Sequence, residues 1–175
     1  MFGHTHDQYF SVTNSASAPD KHINVSQIGP SGTSHELENP AYAVIELDAE
    51  TLLPLNYQIF SLDLEKANAS NKAEWKLTVD YIKDYKMKDM SPDAMFKLAG
   101  MIRVDPRVAS LYKWNMSRNV GKHEPSCDLD CRKELACMLR TSEVYETDDC
   151  MQRHHRDWFS DPGTAIADWM IGDKW

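Results

Sequence analysis

The feature that most constrains how this chain can fold is a change in hydrophobic period near residue 62. Before it, apolar residues alternate in short runs bounded by turn formers. Tyr9-Phe10-Ser11-Val12 is a β-prone run closed by Asn14-Ser15, and His22 to Ile28 alternates until Gly29-Pro30 breaks it. Tyr42 to Leu47 is another strand, and Leu55 to Phe60 follows the Leu53-Pro54 break. Val44 and Ile45 are adjacent and both apolar, which suits a strand covered on both faces. Past residue 62 the spacing becomes helical, at about 3.6 residues per turn. Trp75, Val79, Ile82 and Tyr85 predict an amphipathic helix that ends near Met90. Ser91-Pro92-Asp93 is a helix start, with an N-cap serine, proline at the first helical position and an acid in the first turn. Met95, Leu98, Ala99 and Ile102 form the buried face of that helix, and Asp105-Pro106 opens the next, carried by Val108, Leu111, Tyr112 and Asn115 toward Gly121. A cysteine-bearing helix follows from Asp128 to Leu139. The expected class is α+β, with strands over 1–61, a helical subdomain over 62–156 and a tail over 157–175. Trp75 and Trp114 read as packing residues of the helical part.

Charge and composition narrow the partners. A net charge of -8 leaves no basic stripe to neutralise phosphates, so nucleic acid is excluded as a partner. No run of about eighteen apolar residues is present, so no transmembrane segment is expected, and no secretory leader is visible. The four cysteines, Cys127, Cys131, Cys137 and Cys150, lie close together. An even number of them, in a chain with N-x-S triplets at Asn24, Asn68 and Asn115, points to the secretory pathway and to glycosylation at those asparagines. Spacing leaves the connectivity open, and a zinc site of Cys127, Cys131 and His123 is a rival reading. Of the other histidines, His22 is expected to face solvent, and His154-His155 belongs to a basic run, Gln152 to Arg156, that gains charge on acidification. The tail carries Trp158, Phe159, Trp169 and Trp175, which suit either a short helix around Ala165 to Trp169 or contact with a membrane surface.

At the N-terminus, Gly3-His4-Thr5-His6 places a pair of imidazoles one residue apart, a pattern suited to a metal centre. Phe2-Gly3-His4-Thr5-His6 resembles the last metal-binding motif of the calcineurin-like metallophosphoesterases. The stretches Pro30-Ser31-Gly32-Thr33 and Asn39-Pro40-Ala41-Tyr42, the strand ending at Asp48, and the run Cys127, Cys131, Cys137, Cys150 resemble the C-terminal part of the acid sphingomyelinase family.

That resemblance implies closing strands of a metallophosphoesterase β-sandwich followed by a disulfide-stapled helical subdomain, with bridges Cys127–Cys131 and Cys137–Cys150. It implies phosphodiester hydrolysis of sphingomyelin to ceramide and phosphocholine at a two-zinc site, with His4 and His6 as metal ligands. The remaining ligands and the proton donor would lie upstream, so no catalytic residue is expected within the chain, and the fragment alone should be inactive. His35, beside the Pro30–Thr33 loop, is a candidate substrate contact where related enzymes often carry tyrosine, and Asp7 is expected to orient His6 or cap a turn. The implied partner is a phospholipid at a membrane surface, and the implied location is secreted or lysosomal. Hydrolysis of nucleotide-type phosphodiesters, or a non-catalytic secreted binding module, are the alternatives.

Overall fold

The computed structural model describes residues 6–34, 38–119 and 125–160. Strands β1 (Tyr9–Ser15), β2 (Ala18–Ile28), β3 (Ala41–Leu47) and β4 (Pro54–Leu62) come first, then helix α1 (Leu64–Ser70) and strand β5 (Trp75–Asp80). Helices α2 (Tyr81–Asp84), α3 (Pro92–Val104), α4 (Pro106–Met116), α5 (Leu129–Arg140) and α6 (Val144–Ser160) complete the described elements. The α+β class holds, and each strand expected before residue 62 is present.

β1 and β2 form an antiparallel hairpin with Phe10 opposite Gln27 and Val12 opposite Val25. Its apolar face does not stand alone. Phe10 and Val12 are fully buried in one core with Met95, Leu98, Ala99 and Ile102 of α3, Tyr112 of α4 and Leu139 of α5. Ser11 Oγ donates to the Thr141 carbonyl at 2.6 Å and Asn14 Nδ2 to the Arg140 carbonyl at 3.0 Å, which pins β1 to the C-terminal end of α5.

The second sheet runs β3-β4-β5, antiparallel throughout. It corrects the helix expected from Trp75 onward, because Trp75–Asp80 is a strand whose Leu77 lies opposite Phe60 and whose Val79 lies opposite Ile59. Trp75 and Val79 are four apart, a spacing that fits a helix, but their alternation with Lys76 and Thr78 fits a pleat equally, and long-range pairing with β4 decides. The sheet therefore runs across the boundary expected at residue 62. Trp75, expected as a packing residue, is 45% exposed, on an outer sheet face with Tyr42 and Phe60, whose rings stack 5.3 Å apart. Val44 is also exposed, so β3 is covered on one face and not on both.

The helix caps are those the sequence indicates. The Ser91 hydroxyl accepts from the Ala94 amide at 3.3 Å ahead of Pro92, and the Asp105 carboxylate accepts from the Arg107 amide at 2.8 Å ahead of Pro106. Asp128 does the same for α5, accepting from the Cys131 amide at 3.0 Å. Each such cap stabilises its helix by about 1 kcal/mol. The disulfides are Cys127–Cys131, at the start of α5, and Cys137–Cys150, which joins α5 to α6. No described helix is long and apolar enough to cross a membrane.

Candidate metal-motif loop

His6 lies just ahead of β1 with φ at 68°, in the left-handed region that a histidine visits at some energetic cost. Three loops meet there. Its Nδ1 is 3.4 Å from the Thr33 hydroxyl, which is 2.8 Å from the Ser31 hydroxyl in turn, so the loop after β2 faces the imidazole. An imidazole whose Nδ1 faces a hydroxyl is oriented in the manner of histidines held through one ring nitrogen.

The other side of this loop rests on the end of α4. Arg118 is fully buried, and its Nη1 donates to the His6 carbonyl at 2.9 Å and to the Ser31 carbonyl at 3.3 Å. Its Nη2 donates to the Glu38 carboxylate in a part-buried ion pair. The chain leaves α4 through successive left-handed residues, Arg118 at φ 54° and Asn119 at φ 58°. Burial lowers the pKa of the guanidinium, and the negative charge of Asp7 opposes that shift. Asp7, expected to serve His6, thus acts on Arg118. One residue further on, Gln8 is buried and its Nε2 donates to the Asn115 carbonyl. Asn39, at the Asn-Pro strand entry, donates from Nδ2 to the Arg118 carbonyl at 3.2 Å and accepts from the Leu64 amide at 3.1 Å.

The sequence offered no signal for Arg118 or Gln8, because a polar side chain's burial depends on what packs against it. Thr33 was within reach, since it sits in the Pro30–Thr33 stretch that carries the resemblance.

The donor chemistry at His6 fits zinc, for which an imidazole nitrogen is a common ligand. Among the described residues no group of three or more His, Cys, Asp or Glu side chains is placed to hold a metal ion. His4, His35 and His123 lie outside the described residues, as do the side chains of His154 and His155 and the whole tail from 161 onward. The rival zinc reading of Cys127 and Cys131 is overturned, because both sulfurs are tied in a disulfide.

Other expectations are corrected by packing. His22 does not face solvent. Its ring stacks on Phe96 with centroids 3.8 Å apart, its Nδ1 is 2.8 Å from Asn14 Oδ1, and the Arg140 guanidinium lies 4.4 Å from the Phe96 ring centre. Of the glycosylation triplets, Asn24 and Asn68 are exposed. Asn115 is 3% exposed and its Nδ2 donates to the Tyr85 hydroxyl at 2.8 Å, so the folded chain cannot carry a glycan there.

Residues 15–157 match the family described as acid sphingomyelin phosphodiesterase C-terminal region. The chain is similar to sphingomyelin phosphodiesterase A of Dictyostelium discoideum, 27% identical over 150 residues that cover 86% of this chain and 25% of that protein. It is similar to sphingomyelin phosphodiesterase 1 of Caenorhabditis elegans, 29% identical over 153 residues covering 86% and 27% of the two chains. A cyclic GMP-AMP phosphodiesterase of Bos taurus matches at 23% over 161 residues, 89% of this chain and 35% of that one. The chain spans about a quarter of the length of the sphingomyelin phosphodiesterases it matches. With an α+β fold, both disulfides in the implied pairing and a family match across most of its length, the chain belongs to the acid sphingomyelinase family, of which it carries the C-terminal region.

Proposed function

We propose that this chain is the C-terminal part of a sphingomyelin phosphodiesterase that hydrolyses sphingomyelin to ceramide and phosphocholine, and that its own contribution to the active centre is the pair of ligand histidines, His4 and His6. The observation that carries this reading is the family match over residues 15–157, which lies beside the His6 loop and includes its supports, Thr33 and Arg118. Sphingomyelin is preferred to a nucleotide because relatives named for it match at up to 29%, against 23% for the cyclic GMP-AMP phosphodiesterase of Bos taurus.

In this reading β1–β5 are closing strands of a metallophosphoesterase sandwich whose other strands come from upstream, and the helical part braces them. Bound zinc would supply an acidified water and a Lewis acid for the phosphoryl oxygens. The chain's residues hold and aim ligands: Thr33 sets the His6 ring, and Arg118 holds its backbone. The carboxylates and the leaving-group proton donor would come from upstream. By itself the chain would turn over no phosphodiester. The protein would act at a phospholipid surface in a secreted or lysosomal setting, with exposed Asn24 and Asn68 as glycan acceptors.

The test is turnover by an extended protein that includes the upstream region, on sphingomyelin and on a cyclic dinucleotide, with zinc content measured alongside. We expect preference for sphingomyelin and a loss of both zinc and turnover by orders of magnitude in His6→Ala, since ligands set metal affinity and water acidity together. Unchanged zinc and turnover in that variant would refute the ligand assignment, and preference for the cyclic dinucleotide would move the protein to the other branch.

A further inference from the structure

We infer that Arg118 is a positioning residue for the metal motif, holding the strained His6 backbone through its carbonyl so that the ring is presented to the metal. This rests on the proposal that His6 is a ligand. The geometry carries it. His6 sits at φ 68°, a conformation that persists only where surroundings fix it. The group that fixes it is a fully buried guanidinium whose Nη1 bridges the His6 and Ser31 carbonyls, the backbones of the same loops that meet at the His6–Thr33 contact. Glu38 and Asp7 supply the countercharge that a buried guanidinium requires. Gln8 makes a parallel tie to the Asn115 carbonyl, so the segment 6–8 is fastened to the end of α4 at more than one point. The helical part would thus set the geometry of a metal ligand that lies more than a hundred residues away in sequence.

The experiment compares Arg118→Lys, Arg118→Met and His6→Ala in the extended, zinc-loaded protein. It reads the zinc dissociation constant and the ring 15N shifts of His6 in the metal-free form. Lysine keeps the charge but offers a single nitrogen where the guanidinium uses two, Nη1 on the His6 and Ser31 carbonyls and Nη2 on Glu38, so Arg118→Lys should remain folded and keep its melting temperature within a few degrees. Its zinc affinity should fall on the order of tenfold, the size of effect seen when a ligand's outer support is removed. Its His6 ring shifts should move toward those of a freely rotating imidazole. Arg118→Met should lose more of both if it folds. A folded Arg118→Lys with zinc affinity and His6 shifts like the unsubstituted protein would overturn the inference, as would a fall in melting temperature without change in either readout. Zinc affinity unaffected by His6→Ala would instead sink the ligand assignment on which the inference stands.

Discussion

Asn115 and Tyr85 share a buried hydrogen bond, the asparagine amide donating to the phenol oxygen at 2.8 Å inside the helical part. The same asparagine accepts from Asn119 Nδ2 at 3.0 Å, and its carbonyl accepts from Gln8. A residue that reads as a glycan acceptor is therefore a structural crosslink. Replacing it with alanine leaves buried partners unsatisfied, and the expected loss is about 1–3 kcal/mol by chemical denaturation. Glycopeptide mapping should find occupancy at Asn24 and Asn68 and none at Asn115. A glycan on Asn115 in folded, secreted protein would contradict this packing.

The Cys137–Cys150 bridge ties the first half of α6 to α5. Cys137 is fully buried on α5, while Val144 and Tyr145 at the start of α6 are 79% and 70% exposed, so few apolar contacts fasten the start of that helix. Cys150→Ser should lower stability by about 3 kcal/mol, the chain-entropy figure for a loop of roughly fifteen residues. Hydrogen exchange should show the loss of protection concentrated over 144–152 and modest in β1. Equal loss throughout would mean that α6 is part of the main cooperative unit.

Much of this fold is legible in the sequence where the signal is local. Ser91-Pro92, Asp105-Pro106 and Asp128 announce the helices they cap, and turn formers bound β1 to β4. Legibility fails where a partner distant in sequence decides. Trp75 and Val79 fit either period, and only β4 makes them a strand. Arg118 and His22 are polar by composition, yet packing buries Arg118 under the 6–8 and 31 loops and half-buries His22 against Phe96. The Gly3–His6 pattern is legible, and Thr33 lies in a stretch that carries the resemblance, but the tie from Arg118 to the His6 carbonyl is not, since it comes from beyond the change in period.

The strand assignment of Trp75 is itself testable by stability. With 45% of its surface exposed, Trp75 packs on Tyr42 at 5.2 Å and covers no deep core, so Trp75→Ala should cost only about 1 kcal/mol. Ile102, fully buried on α3, should cost about 2–5 kcal/mol on replacement with alanine. If Trp75 instead lay on the buried face of an amphipathic helix, its truncation would cost at least as much as that of Ile102. Paired urea melts of the single variants separate these outcomes.

The core tyrosines set an alkaline limit. Tyr57, Tyr81, Tyr85 and Tyr112 form a chain of ring contacts between 5.3 and 5.9 Å, with Phe10 against its far end. Burial pushes the Tyr57 phenol up to about 12 and raises the other three above their ordinary value of 10.0. The folded chain therefore keeps protons that the unfolded chain releases from about pH 10 upward. Because the native state binds more protons in that range, stability is fully present below about pH 10 and falls as pH rises toward 12 and beyond. Each phenol contributes a slope of up to about 1.4 kcal/mol per pH unit. Melting temperatures measured from about pH 8 to about pH 11 should drop steeply at the upper end, with phenolate absorbance rising only as the chain unfolds. Tyr57 offers a control, because its hydroxyl is buried without a partner among the described residues. Tyr57→Phe should match or exceed the parent's stability near neutral pH and should flatten the alkaline slope by that one phenol's share. Free titration of Tyr57 near pH 10 in the folded protein would show that this hydroxyl reaches water after all.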